Sequence, residues 1–210
     1  DPVIRKALKK KYRAQLEEYQ GRLDHAAGRH VNTNAPKQIG ALLYRDMGLP
    51  FRKDTSEDTI VALQANHCKE DLHKQILTDI LLVRRIKKTL STYLDANPDY
   101  DGRMRCSYRI VGTETGRTST ALLKAPLRPH KVGQAFQTMT KHGDTGADLR
   151  SQYKADPGYV FVEIDSSQAE ARVVALLATD YELLELFGTT DVHKLTSSMI
   201  FNVPIDRVTK

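Results

Sequence analysis

Asp165 is the residue around which chemistry can be organised. It closes the run Tyr159-Val160-Phe161-Val162-Glu163-Ile164-Asp165, whose aromatic and β-branched content predicts a short buried strand. A carboxylate at the end of such a strand is costly unless something compensates it, and a divalent cation is the natural compensation. The structural alternative is a helix cap at a strand end. Ser166, Ser167, Gln168, Glu170 and Arg172 follow at once. On a helix beginning near Ser167, Gln168 and Arg172 lie four apart on one face.

Charge divides along the chain in a way that fits two tasks. The 210 residues carry 32 Lys+Arg against 26 Asp+Glu, a net +6. Residues 1–53 hold twelve basic and five acidic side chains, whereas residues 156–191 hold one basic and eight acidic. A basic surface suits a polyanion, and clustered carboxylates suit a hard cation. Two cysteines, Cys68 and Cys106, make neither a disulfide-rich scaffold nor a four-ligand zinc site. No apolar run is long enough to span a bilayer, no signal peptide opens the chain, and the first residue is not Met. The expectation is a soluble protein of a reducing compartment, or a piece of something longer.

The elements that must position these groups are mostly helical at first. Asp1 is a plausible cap, with Pro2 in the first turn and Ile4, Leu8, Tyr12 and Leu16 at helical spacing over residues 3–20; Gly21 and Gly28 interrupt. Asn34 can cap a second helix carrying Ile39, Leu42 and Leu43, stopped by Gly48-Leu49-Pro50. Thr55 and Asp58 resemble a capping box, and a long helix covers roughly 70–94. After Pro98 the composition predicts short strands and turns over 99–121, then irregular chain over 122–158. Beyond the Asp165 strand come helices at 169–180 and 181–187, then one capped by Asp191 and running to about Phe201.

The run D-S-S-Q-A-E-A-R (Asp165–Arg172) resembles the first catalytic motif of family A DNA polymerases, D-Y-S-Q-I-E-L-R. Asp165, Ser167, Gln168, Glu170 and Arg172 match it. Other blocks are similar in the family's order. Asn34–Pro50 (N-A-P-K-Q-I-G-A-L-L-Y-R-D-M-G-L-P) and Arg84–Tyr93 (RRIKKTLSTY) look like thumb segments. Thr115-Gly116-Arg117-Thr118-Ser119-Thr120 looks like the start of the palm, and Asp191-Val192-His193 with Thr196 and Ser197 looks like a later D-I-H-x-x-T-A segment. The family loop N-L-Q-N-I-P appears only as Ala135–Thr140, where Gln137 fits; the basic stretch 121–134 around and before it is unlike the family.

The resemblance implies an α+β fold: a helical thumb over residues 1–95, then part of an antiparallel-sheet palm over 96–210. It implies template-directed DNA synthesis by two-metal nucleotidyl transfer to a primer 3′-hydroxyl. Asp165 and the Ser166 carbonyl become Mg²⁺ ligands, and Asp165, Gln168 and Glu170 catalytic groups. Ser166, Ser167, Gln168, Glu170 and His193 face the dNTP, with Glu170 excluding a ribose 2′-hydroxyl. The family tyrosine that supports this glutamate is Ser166 here. Arg84 and Lys88, together with Lys37, Arg117, Thr118, Ser119 and Gln137, contact primer–template DNA. Arg172 is implied to be a structural ion-pair partner, and the run Lys9-Lys10-Lys11 reads as a solvated helix face. Fingers and the second catalytic aspartate are expected from the remainder of the polymerase, in the same or a second chain, so that the 210 residues alone are inactive. The expected setting is the cytoplasm of a bacterial or phage-infected cell, with an organelle also open. The alternative is a non-catalytic duplex DNA-binding module derived from a polymerase.

Overall fold

The first helix starts where its caps dictate. The Asp1 carboxylate accepts hydrogen bonds from Val3 N (3.0 Å) and Ile4 N (3.2 Å), and Pro2 needs no donor there. In the computed structural model, which describes residues 1–123, 132–141 and 143–208, this helix is α1 (Pro2–Ala27). It runs straight through Gly21, correcting the expected break, because one glycine costs a helix only about 1 kcal/mol. It stops at Gly28, which takes the left-handed conformation (φ 67°) and returns its N–H to the last turn.

Two other capping expectations are corrected. Helix α2 (Pro36–Gly40), continued by a π-helical segment (Ala41–Asp46), begins after Ala35 with no side-chain cap; Asn34 N instead donates to Asn32 Oδ1. Helix α3 (Glu57–His67) is capped by Ser56, one residue beyond Thr55. The Ser56 hydroxyl accepts from Thr59 N, while Asp54 Oδ1 accepts from Ser56 N (2.9 Å) and the Thr59 hydroxyl (2.7 Å). Helix α4 (Asp71–Thr89) and a π-helical turn (Leu90–Leu94) occupy the span expected for the long helix.

Helices α1 and α4 pack together and supply two apolar clusters. One gathers Leu23, Ile39, Leu43, Ile60, Leu77 and Ile80; the other gathers Leu8, Tyr12, Ile86, Leu90, Tyr93, Leu94 and Leu149. Each fully buried Leu or Ile contributes roughly 1.5–3 kcal/mol. Asp79 is an intruder in this packing. It is fully buried, the Arg22 guanidinium stands 3.0 Å from Oδ1, and neither carboxylate oxygen has a hydrogen-bond partner. Burial therefore raises its pKa, with Arg22 opposing and Glu18 of α1 reinforcing the shift. A raised carboxyl pKa means that the native state holds the proton more tightly. Stability then falls as pH rises from the usual carboxylate range through the native pKa. Asp79→Asn is expected to be more stable than the parent at pH 7 and to converge with it near pH 4. Urea denaturation at the two pH values checks this; equal stability at pH 7 contradicts it.

The α+β character rests on a small sheet. Strands β1 (Ser107–Arg109) and β2 (Ser119–Ala121) pair antiparallel, with Tyr108 opposite Thr120. The expected irregular stretch contains a 3₁₀ turn (Phe136–Thr138) and helix α5 (Gly143–Ser151), which buries Leu149 against α1 and α4. Most of the unusual basic segment, residues 124–131, lies outside the described residues.

The chain forms two compact units, Asp1–Ala155 and Asp156–Lys210. The second holds α6 (Ala169–Leu177), α7 (Tyr181–Leu186) and α8 (Val192–Phe201), the last capped by Asp191. The expected buried strand at 159–165 is corrected. The segment pairs with no strand among the described residues and stands exposed, Val160 at 80%, Phe161 at 71% and Ile164 at 90%. Strand propensity expresses itself only against a neighbouring strand and a packed face.

Candidate functional site

In the second unit the acidic motif begins on the open segment. Asp165, Ser166 and Ser167 are exposed, and Gln168 turns the chain into α6 with a left-handed backbone (φ 54°, ψ 37°). A non-glycine residue there carries strain, and such strain concentrates at functional positions. The Gln168 Oε1 is buried without a hydrogen-bond partner, an expensive arrangement for an amide oxygen. Glu170 lies in the first turn of α6, where a negative charge complements the helix dipole. Arg172 fastens this corner. Its Nε donates to Ser167 O (3.0 Å), an Nη donates to Phe187 O (3.1 Å), and the guanidinium lies 4.8 Å from the Phe187 ring centre. Its partners are backbone carbonyls and an aromatic face, in place of the expected carboxylate.

His193 sits exposed in the first turn of α8, its backbone N–H accepted by the Asp191 cap. No hydrogen bond or ion pair among the described residues joins its ring to the Asp165 carboxylate. The donors of Asp165 and the Ser166 carbonyl are hard oxygens of the kind Mg²⁺ takes. They are too few to hold an ion alone, and no three His, Cys, Asp or Glu side chains converge as a metal site among the described residues.

The first unit brings two other groups together. The Thr113 hydroxyl donates to Arg117 O (2.9 Å), tightening the turn that displays Arg117. Gln137 docks on β2 through its N–H to the Thr120 hydroxyl (3.2 Å) and through Nε2 to the Thr118 hydroxyl (3.3 Å). Ser119 pairs with Arg109 across the sheet. The Tyr93 hydroxyl, at the end of the long helix, donates to the Thr138 carbonyl and so ties the Gln137 turn to the helical core.

The second grouping is a groove. Three cavities of about 600, 620 and 440 Å³ follow one another along the helical region. The first two share Pro36, Lys53, Asp54 and Thr55; the last two share Asn34 and Arg84. Lys37 lines the first, Arg84 the second, and Arg84 with Lys87 and Lys88 the third. Arg84 is half-buried and gives two of its five donors to the fold, Nε to Thr33 O (2.8 Å) and an Nη to Thr55 O (2.6 Å); burial lowers its pKa. Lys88 is exposed. Burial also lowers the pKa of Lys87, which reaches Gln20 and Thr33. Sequence reasoning does not single out Lys87, Arg52 or Lys53. The available signal was Phe51-Arg52-Lys53, an aromatic beside two cations directly after a helix stop. The Lys9-Lys10-Lys11 face is not simply solvated: Lys9 pairs with Asp95 (3.0 Å) and Lys11 with Asp148 (2.6 Å).

Comparison with known proteins returns one family. The model of "DNA polymerase family A" matches residues 4–210. DNA polymerase I of Pseudomonas aeruginosa is 32% identical over 193 residues, covering 87% of this chain and 19% of that protein. DNA polymerase I of Bacillus subtilis is 30% identical over 208 residues, 93% of this chain and 22% of that one. The thermostable DNA polymerase I of Thermus aquaticus is 27% identical over 221 residues, 99% of this chain and 24% of that one. The chain thus spans about a fifth to a quarter of these relatives' length. Among solved structures, the POL domain of Pol1 from M. smegmatis, in complex with DNA primer-template and dNTP, superposes with a TM-score of 0.79 at 25% identity. The match covers all of this chain and 36% of that one.

Proposed function

This chain belongs to DNA polymerase family A, and on that premise we propose that it supplies duplex binding and the first catalytic aspartate to template-directed DNA synthesis. The observation that carries the reading is the exposed Asp165 carboxylate directly before α6, whose first turn holds Glu170 and whose cap is the strained Gln168. In this reading Asp165 and the Ser166 carbonyl would hold Mg²⁺ together with substrate phosphates and a second aspartate, and the metal would supply charge neutralisation for in-line transfer. Ser167 and Gln168 line the nucleotide side of the corner that Arg172 braces. Glu170 stands where a ribose 2′-hydroxyl would collide, and His193 offers a donor to the triphosphate.

Duplex DNA is held by the first unit. Lys37 and Lys88 line the groove, Arg84 shapes its wall, and Arg117 with the Thr118–Gln137 pair faces the minor groove near the primer end; Ser119 braces that strand. Arg suits minor-groove contact because every base pair offers acceptors there. Further polymerase segments, in the same or a second chain, bring the second aspartate and the nucleotide-gripping helix. The exposed apolar side chains of residues 159–164 and of Val173, Leu176 and Leu177 in α6 support this, since such side chains are suited to burial by further segments. A bacterial or phage-infected cytoplasm is the setting that goes with the reading.

Phosphate contacts make affinity depend on salt. Binding of the chain to a 20-base-pair primer–template, followed by anisotropy, is expected to weaken linearly in log–log form with NaCl. Lys88→Ala is expected to flatten the slope by roughly 0.9, one phosphate contact. An unchanged slope removes Lys88 from the interface, and salt-independent binding overturns the duplex reading.

A further inference from the structure

The cavity at the Phe51 end of the groove carries an aromatic ring that duplex binding does not use. Phe51 is 75% exposed, so its ring face is open to a ligand. It is held there by its neighbours. Leu49 is buried and donates its N–H to Leu43 O, and the Tyr44 ring meets the Phe51 ring edge-on at 5.2 Å. The Tyr44 hydroxyl closes the loop by donating to Asp54 O (2.8 Å). The aromatic pair is therefore preorganised, and a ligand would not have to order it.

The charge around the ring is mainly positive, four cations against one carboxylate. Lys37, Arg45, Arg52 and Lys53 line the same cavity. Arg45 is neutralised by Asp46 (2.8 Å), whereas Lys37 and Lys53 form no ion pair among the described residues. Among the described residues Arg52 hydrogen-bonds to neutral partners, the Phe51 carbonyl and the His67 ring. The one carboxylate in the lining, Asp54, is engaged by the start of α3. It accepts from Ser56 N and the Thr59 hydroxyl at the start of α3, which holds its pKa at about 2.

We propose that this cavity, with Phe51 as a stacking platform and Lys37, Arg52 and Lys53 as phosphate partners, binds a nucleotide of single-stranded DNA. At about 600 Å³ it lies within the size range of small-ligand sites. A free aromatic face beside cations is the pairing that single-strand binders use, because every base has a π-face. Duplex DNA keeps its bases stacked on one another and offers Phe51 none. The second cavity shares Lys53 with the first and leads on to Arg84, so a strand entering at Phe51 has a continuous path along the groove. The site belongs wholly to the first unit and does not depend on the Asp165 motif.

The test uses the full 210-residue chain and a fluorescein-labelled dT12 oligonucleotide, read by anisotropy beside the same length of duplex. Phe51→Ala is expected to weaken dT12 binding roughly 5- to 100-fold, the loss of one base stack, and to leave duplex affinity within twofold. Phe51→Trp is expected to restore dT12 binding. The exposed ring carries no core packing, and an unchanged thermal melt confirms that the variants are folded. Failure of the parent chain to bind dT12, equal loss of both DNAs in Phe51→Ala, or no loss at all overturns the proposal. So does displacement of dT12 by polyglutamate of equal charge as readily as by unlabelled dT12, which would indicate a site for any polyanion.

Discussion

Asp165→Asn, placed in the chain and combined with the remaining polymerase segments, is expected to lower dNTP incorporation by about 10³-fold or more. The substitution keeps the shape and removes the charge that would hold the ions. Asp165 is exposed and outside every buried cluster, so the variant should fold as the parent does. The loss should fall on turnover, with the affinity of the isolated chain for duplex DNA unchanged, because the groove lies in the first unit and Asp165 in the second. Primer extension with Mg²⁺ and duplex anisotropy measure the two separately. Incorporation within threefold of the parent would remove Asp165 from the chemistry. Parallel loss of duplex binding would recast it as a structural residue and favour the non-catalytic module.

Gly133→Ala is expected to cost the first unit about 3 kcal/mol, from a left-handed backbone and overpacking together. Gly133 has φ +79°, and a Cβ built there would lie 1.8 Å from the Arg105 carbonyl oxygen. Neither side can easily yield. Gly133 N donates to Asn97 O (2.7 Å) and Gln134 N donates to Arg105 O (3.0 Å), so the two strands of chain are clamped where the methyl would enter. Relief requires the 133–138 segment to lift away, and with it the Gln137 docking on Thr118 and Thr120. Urea denaturation should show the lower midpoint, and protease cleavage near residues 135–140 should accelerate. A midpoint within experimental error of the parent would mean that this clamp is loose in solution.

How much of this was readable from the residues depended on whether a signal was local. Helices α1 and α8 announce themselves through Asp1 with Pro2 and through Asp191, because a cap and an apolar stripe lie within a few residues of one another. The Asp165–Arg172 motif was legible because its residues are consecutive, although α6 begins at Ala169, with Gln168 as a left-handed cap, and so later than the helix expected from near Ser167. Helix α5 was hidden because Gly143 and Gly146 argue against it, and its stability comes from Leu149 packing on distant helices. The strand at 159–165 was over-read, since propensity describes a segment and pairing needs a second one. Arg84 shows the limit for sites. Its place beside Lys88 in a basic helix points to phosphate, while the bonds of its Nε and one Nη to Thr33 O and Thr55 O, 51 and 29 residues away in sequence, are not legible there.

The unpaired segment also bears on how the protein stays in solution. Tyr159–Ile164 is a six-residue window of aromatic and β-branched side chains with a single charge, the composition from which intermolecular cross-β stacks grow. An open edge of this kind is a template for another copy of itself. The chain brackets it with gatekeepers: Pro157 and Gly158 on one side, Asp165 on the other. The Asp165 charge therefore terminates the window at the point where a growing stack would otherwise extend toward α6.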